Sequence, residues 1–206
     1  MSSLLHLTYF PNVAHMAVML KNNDCFIEAH DTYLKQTYRN RTCIYAANGK
    51  LQLNIPVIHS QNNRQLYKDV VIKSEENWQI NHLKSLESAY RKSPFFEYYI
   101  DDILVLFEME AQNLFSFNLK CLEVIFECLQ LPYNFKFTER FEHHPKEIED
   151  FRSLVYCKKE VQQNFDSYTQ VFEDKQGFIG NLSILDLIFN EGPNTVNYLK
   201  ALRVKK

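Results

Sequence analysis

The sequence predicts an α/β protein in which an N-terminal, βαβ-like mixed sheet precedes a mainly helical C-terminal half. The first thirty residues have the pattern of strand, turn, helix and strand, which is how a βαβ unit opens. From Asn77 onward the apolar residues change to the spacing of helices. We therefore expect the strands of the N-terminal half to join one sheet.

Short apolar runs define the elements of the N-terminal half. Alternating apolar and polar residues are typical of a half-buried strand, and Asn-Gly before such a run is a hairpin signal. The predicted elements are a strand at Leu4 to Tyr9, a helix at Val13 to Leu20, a strand at Cys25 to Glu28, a strand at Leu51 to Val57 after Asn48-Gly49, and a strand at Asp69 to Lys73.

Capping residues and prolines divide the C-terminal half into helices. They predict one helix from a cap at Asn77 to Ser93-Pro94, others at Phe95 to Ser116, Asn118 to Gln130 and Ile184 to Phe189, and a polar loop at 140–152. A chain of 206 residues suits one domain, 1–206, with the loop 140–152 as the candidate for an internal boundary.

Composition excludes several function classes. The formal net charge of −2 gives no global basic field, so nucleic-acid binding by phosphate neutralisation is not expected. The longest apolar stretches fall short of the roughly 20 residues that span a bilayer, and no charged signal-peptide region precedes them. We expect a soluble, cytoplasmic protein without a membrane partner.

The sequence lacks motifs for cofactors and metals. There is no GxxxxGK or GxGxxG among its four glycines, and its five cysteines form no CxxC pair. His143 and His144 lie in a polar, acidic loop and have no third ligand at zinc-like spacing. We expect no cofactor and no bound metal.

The segment Tyr33 to Thr42, YLKQTYRNRT, concentrates three cations without a carboxylate. Lys35, Arg39 and Arg41 would repel one another unless an anion compensates them. One interpretation is a bound diphosphate or carboxylate, with the cations converging on a cleft beside the turn at 9–15. The alternative is a structural network with Asp24, Glu28 or Asp186.

Two histidines are candidates for acid–base chemistry. His15 lies with His6 and Tyr9 near a strand end and the start of a helix, where free backbone N–H groups bind ligands. His82 is four residues after Trp78 on one helical face. The alternative for both histidines is a buried, hydrogen-bonded core residue, and no aspartate is placed to complete a hydrolase triad.

Three stretches together resemble the WbqC-like family: TYFPNVAHMAVML, YLKQTYRNRTCI with the helix WQINHLKSLESAYRKSPFF, and GFIGNLSILDLIFNEGP. The resemblance implies a role in bacterial O-antigen and related surface-polysaccharide biosynthesis, with glycine (aminoacyl) transfer to an amino sugar as the suggested activity. Carried over by position, it points to Tyr9, Lys35, Gln36, Arg39, Asn40, Arg41, His82 and Asp186.

The resemblance and the basic segment lead to one expected function and one rival. We expect an acyl or aminoacyl transferase acting on a nucleotide-linked amino sugar. The sequence is compatible with a homodimer. The expected roles are diphosphate binding by Lys35, Arg39 and Arg41, sugar or base recognition by Gln36 and Asn40, substrate contact by Tyr9, proton acceptance by His82 or His15, and structural support of the segment by Asp186. The rival is a noncatalytic nucleotide-sugar-binding or scaffold protein.

Overall fold

The fold is built on a four-stranded parallel sheet, seen in a computed structural model. The structure describes residues 2–21, 24–58, 65–74, 77–158 and 161–205. Its strands are β1 (Ser2–His6), β2 (Asp24–Glu28), β3 (Arg41–Ala46), β4 (Gly49–Asn54), β5 (Phe135–Phe137) and β6 (Glu149–Asp150). The α/β class predicted from the sequence is confirmed.

The sheet has the order β5-β2-β1-β6, and each neighbouring pair is parallel. The carboxyl ends of the four strands therefore lie along one edge. From β1 the chain moves outward to β2 and β5 before it returns to the other side of β1 as β6. The strand order thus reverses between β1 and β6, and such a reversal is where open α/β sheets bind ligands.

The prediction of a single sheet is wrong, because β3 and β4 form a separate antiparallel hairpin. Gly49 takes the positive φ of 98° that the tight turn requires. The other edge of β3 is occupied, since Cys43 accepts a backbone hydrogen bond from Ser183 and Tyr45 donates one to the Tyr90 hydroxyl. The hairpin is thereby held to the helices and is not available to the parallel sheet.

Two predicted strands have different bounds or another structure. The first strand begins at Ser2 and ends at His6, so Leu7 to Tyr9 continue beyond it. The predicted strand Asp69 to Lys73 is instead a 3₁₀ turn at Tyr67–Asp69 followed by isolated backbone pairings of Val71 and Ile72. These pairings join different segments, so they do not build a ladder.

The helices follow the predicted order. They are α1 (Val13–Lys21), α2 (Trp78–Tyr90), α3 (Phe96–Glu108), α4 (Leu114–Cys128), α5 (Glu173–Gln176), α6 (Ile184–Glu191) and α7 (Thr195–Ala201). The predicted break near Asn118 is wrong: Asn113 caps α4 by accepting from the backbone N–H of Ser116. None of the helices in the described ranges is long and apolar enough to cross a membrane.

Asn118 lies inside α4, where its side chain hydrogen-bonds to two other parts of the chain. Its side-chain amide is fully buried and donates to the backbone carbonyl of Arg39 at 2.6 Å and to the Tyr67 hydroxyl at 2.5 Å. A polar side chain in a core is stable when it is hydrogen-bonded. This contact fixes the segment around Arg39 against the helical layer.

Asp186 does not contact the segment at 35–41, contrary to the expectation. Its fully buried carboxylate accepts hydrogen bonds from the Tyr168 hydroxyl at 2.6 Å and from the Gln170 amide at 2.8 Å. Burial raises the pKa of Asp186, against hydrogen bonds from Tyr168, Gln170 and Tyr90 that lower it. Asp186 therefore joins α6 to the chain before α5 through neutral donors.

We expect the stability of the native chain, relative to an Asp186→Asn variant, to rise as the pH falls. Because burial raises the folded-state pKa of Asp186, its contribution is complete below the unfolded value of about 3.9 and is lost as the pH rises through the folded value. Urea unfolding of both proteins over a pH series measures this difference. Asp101→Asn, an exposed control on α3, should show no such trend. A flat or opposite trend for Asp186→Asn would contradict the assignment.

Candidate functional site

A cleft of about 330 Å³ opens where the strand order reverses. Its lining comes from the ends of β1 and β6 and from the segments that follow β2 and β6. The lining residues are His6, Asp31, Phe141, Asp150, Arg152, Ser153 and Tyr156. The position matches the ligand crevice of open α/β sheets, and the lining is rich in polar groups that can orient a small molecule.

The first part of the site is a cluster of His6, Asp31 and Arg39. The Arg39 side chain is 0 % exposed, and its Nη2 donates to Asp31 Oδ2 at 2.7 Å. The same nitrogen lies 2.9 Å from His6 Nε2 and 3.1 Å from His6 Nδ1, while His6 Nε2 lies 3.3 Å from Asp31 Oδ2. Arg39 Nη1 donates to the Thr32 carbonyl, and the guanidinium lies over the Tyr67 ring.

Burial and the neighbouring guanidinium groups keep the His6 imidazole neutral. Burial lowers the pKa of His6 well below its ordinary value, and the positive charges of Arg39 and Arg152 lower it further. A neutral imidazole has one unprotonated ring nitrogen, which can accept a hydrogen bond from Arg39 Nη2. His6 therefore orients Asp31 and Arg39 and is not itself open to accept a proton.

The second part of the site is a fork formed by Arg152 and Asp150. Arg152 Nε donates to Asp150 Oδ1 at 2.9 Å and Nη2 donates to Oδ2 at 2.7 Å, the bidentate geometry that arginine forms with carboxylates. The Arg152 guanidinium lies over the Phe141 ring and donates to the His143 carbonyl. Hydrogen bonding to Asp150 raises the pKa of Arg152.

Glu28 connects the strand ends behind this fork. Its carboxylate is 1 % exposed, and Oε1 accepts from the backbone N–H of His30 and from the Thr138 hydroxyl just after β5. Oε2 lies 3.5 Å from Arg152 Nη1. The site as a whole thus holds three carboxylates against two guanidinium groups, with the imidazole neutral.

The three predicted cations do not converge. Arg39 is buried in the network just described, Lys35 is exposed, and Arg41 is half-buried. The structural-network alternative therefore holds for Arg39, although its partner is Asp31 and not one of the carboxylates considered from the sequence. The reason is topological, because Asp31 follows β2 at the same sheet edge as His6.

Lys35 and Arg41 keep their charges available. Neither side chain forms a hydrogen bond or ion pair with another residue in the described part of the chain, and Arg41 Nε is buried without a partner there. The segment packs behind the cleft, because Thr37 pairs with the cleft residue Tyr156 and Tyr38 donates a backbone hydrogen bond to Val155. The basic segment therefore adjoins the cleft without lining it.

The other predicted binding residues lie in different places. Gln36 is exposed with a φ of 60°, while Asn40 is buried and donates to the Ile55 carbonyl. Tyr9 is fully buried, and its hydroxyl lies 2.9 Å from His82 Nδ1. The contacts of Tyr9 and Asn40 are those of core residues, and neither residue lines the cleft.

His15 and His82 are buried imidazoles with low pKa values. Burial lowers the pKa of each to about 4, against backbone hydrogen bonds that raise it. His15 Nε2 lies 2.7 Å from the His6 carbonyl oxygen, so it supports the end of β1 from behind. Neither histidine lines the cleft, which corrects the expectation that one of them meets the substrate.

The N-terminus of α1 does not offer free donors at the predicted turn. The backbone N–H groups of its first turn are already hydrogen-bonded. Val13 donates to the Leu182 carbonyl, Ala14 to the Asn181 side chain, and His15 to the Asn12 side chain that caps the helix. An anion at this helix end would compete with three intramolecular hydrogen bonds.

The sequence interpretation missed Asp31, Asp150 and Arg152. Asp31 carried a usable signal, because polar residues just after a predicted parallel strand point to the ligand edge of a sheet. Asp150 and Arg152 had no such signal, since β6 has only two residues and lies at the end of a polar loop. Glu28 was considered only as a structural partner.

The cleft offers binding groups and no activated nucleophile. Burial raises the pKa of the Cys157 thiol, which follows the cleft residue Tyr156, to about 12. Ser153 lines the cleft, but no hydrogen bond joins its hydroxyl to an imidazole in the described residues.

We expect Arg39→Ala to lower the free energy of unfolding by about 3–5 kcal/mol, because it leaves the Asp31 carboxylate without its buried cation. Lys35→Ala, on the same segment but exposed, should stay within about 0.5 kcal/mol of the native chain. Denaturant titration of both variants measures the contrast. Equal and small losses would show that the Arg39 network does not hold the cleft together.

Comparison with known proteins gives one family. The sequence pattern of the WbqC-like protein family matches residues 8–165, which include the basic segment, Asp31, Asp150 and Arg152 but not the stretch around Asp186. No curated protein and no solved structure matches the chain. The match spans more than half of the 206 residues, so the chain belongs to the WbqC-like protein family.

Proposed function

We propose that this protein transfers an acyl or aminoacyl group to the amine of a nucleotide-linked amino sugar in surface-polysaccharide biosynthesis. The observation that carries the proposal is the polar cleft at the β1–β6 reversal, beside a basic segment with two cations that lack a side-chain partner in the described residues. The resemblance to the family supplies the pathway class. The proposed residues keep Lys35 and Arg41 from the sequence expectation and add Asp31 and Asp150.

The carboxylates of the cleft suit an amino sugar. Asp31 and Asp150 accept hydrogen bonds from ammonium and hydroxyl groups, and the excess of carboxylates over guanidinium groups favours a positive substituent. The ring of Phe141 adds an apolar face. The amine would therefore face Asp31, which His6 and Arg39 hold in place.

Lys35 and Arg41 are the proposed partners of the diphosphate. Both lie on the segment that adjoins the cleft through the pairing of Thr37 with Tyr156, and arginine can bind a phosphate through two parallel hydrogen bonds. Arg39, which the sequence also suggested for this task, has its charge engaged by Asp31 and acts as a positioning residue.

The reaction needs no nucleophile from the protein. The amine nitrogen attacks the carbonyl carbon of a donor activated as a thioester or an ester. The ammonium of the bound sugar first gives one proton to Asp31. The N–C bond then forms while the bond to the thiol or alcohol breaks, and the nitrogen passes its second proton to the departing thiolate or alkoxide. Holding two reactants in line can supply about 7–11 kcal/mol of the barrier by itself.

Two measurements test the proposal. Thermal shift against a panel of nucleotide sugars should show stabilisation, which is about 2.7 kcal/mol at 100 times the dissociation constant. Incubation of the binding sugars with activated acyl and aminoacyl donors should then yield the N-acylated sugar. Binding without product across the panel would favour the rival function.

The rival is a protein that binds a nucleotide sugar without transforming it. The observation in its favour is the pairing within the site, because both guanidinium groups and His6 are engaged by carboxylates. Such a site is well ordered for recognition. It would bind the same ligands, so turnover is the measurement that separates the two functions.

We expect Arg41→Ala to weaken binding of a uridine-diphosphate sugar by about 1.5–3 kcal/mol, the typical worth of a hydrogen bond to a charged group. The fold should be unaffected, because Arg41 pairs with no other residue in the described ranges. Arg91→Ala, an exposed arginine just after α2 that lies 3.8 Å from Glu87, is the matched control. Calorimetry that gives equal affinities for both variants would remove Arg41 from the diphosphate site.

A further inference from the structure

We propose that Glu28 and Arg152 together recognise one hydroxyl group of the sugar ring. The inference rests on the proposed function for the identity of the ligand, and on the structure for the contact. It adds a specificity-determining pair to the site, placed at the carboxyl ends of β2 and β6.

The pair holds two polar atoms that lack hydrogen bonds. Glu28 Oε2 and Arg152 Nη1 are both buried, and neither has a hydrogen-bond partner. They lie 3.5 Å apart, beyond the usual length of a charge-assisted hydrogen bond. The other polar atoms of these side chains are engaged by His30, Thr138, Asp150 and His143, so the two side chains are fixed in place.

One atom is an acceptor and the other a donor, and this decides which ligand group can hydrogen-bond to both. An ammonium would satisfy Glu28 Oε2 but would meet the positive charge of Arg152, and a phosphate or carboxylate would meet the negative charge of Glu28. A hydroxyl is both donor and acceptor, so it can donate to Oε2 while it accepts from Nη1. A neutral, hydroxylated ligand therefore fits the pair better than an ion of either sign.

The pair also lies between two clefts. Arg152 lines the cleft of about 330 Å³, and Glu28 lines a second cleft of about 470 Å³. The second cleft has the rings of Phe26 and Phe137, which suit the C–H face of a sugar. The segment 138–148, which has no regular secondary structure, supplies most of its remaining lining.

Access to the pair requires a local shift. Because neither atom reaches the surface, a hydroxyl arrives only when neighbouring side chains move. The segment 138–148 covers the pair on the side of the second cleft and has no helix or strand, so its side chains are the ones that must shift. The Arg152 Nη2 contact with the His143 carbonyl can stay in place, because the hydroxyl meets Nη1.

The test measures the affinity of the native chain and of a Glu28→Gln variant for uridine-diphosphate glucosamine and for analogues that each lack one ring hydroxyl. The native chain should lose about 10- to 100-fold in affinity for one analogue, because a hydrogen bond to charged partners disappears. In Glu28→Gln the amide oxygen takes the place of Oε1, so its NH₂ group faces Arg152 and the hydroxyl finds no acceptor. That variant should discriminate between the parent sugar and this analogue at least several-fold less than the native chain, because only the contact with Arg152 Nη1 remains.

Glu139→Gln is the matched control, because Glu139 lines the same second cleft but is exposed. It should keep the discrimination of the native chain. If all analogues bind the native chain equally while the parent sugar binds, a water molecule completes the pair, and the inference is wrong although the proposed function stands. If neither the nucleotide sugar nor free glucosamine binds, both are overturned.

Discussion

The structure depends on two guanidinium groups buried beside carboxylates at one edge of the sheet. Arg39 is fully buried against Asp31, and the Arg152 side chain is 10 % exposed in a fork with Asp150. Removing a charge from water costs several kcal/mol, which is regained only with good geometry and further hydrogen bonds. The strand ends that carry these groups therefore have little freedom. The cleft between β1 and β6 takes its shape from this constraint.

The same constraint gives the cations of the basic segment different roles. Arg39 serves the fold, and Asn40 and Asn118 hold its backbone against β4 and α4. The side chains of Lys35 and Arg41 remain uncompensated within the described ranges, on the segment that adjoins the cleft. A ligand with a diphosphate and a polar ring could use both parts, its charge at the segment and its ring among the carboxylates. The family match covers the basic segment, Asp31, Asp150 and Arg152.

Sequence patterns predicted the α/β class, α1, β2 and the order of the helices, because apolar periodicity reports which face of a local element is buried. They could not place the site. Lys35 and Arg39 both lie in the basic segment, and only the meeting of Arg39 with Asp31 after β2 and His6 at the end of β1 decides which one is buried. β6 has two residues, too few to show a period. Tyr9, His15 and His82 were predicted as functional residues because each carries a polar group on an apolar face. In the structure that polar group has a buried hydrogen-bond partner in all three cases, so they are core residues.

The most direct test of the account is to locate the bound nucleotide sugar by backbone amide NMR shifts during titration with uridine-diphosphate glucosamine. The account predicts the largest changes at Asp31 and Thr32 after β2, and at Ser153 and Tyr156 after β6. Changes confined to the turn at 12–15 or to the surroundings of His82, with these four amides unmoved, would contradict it.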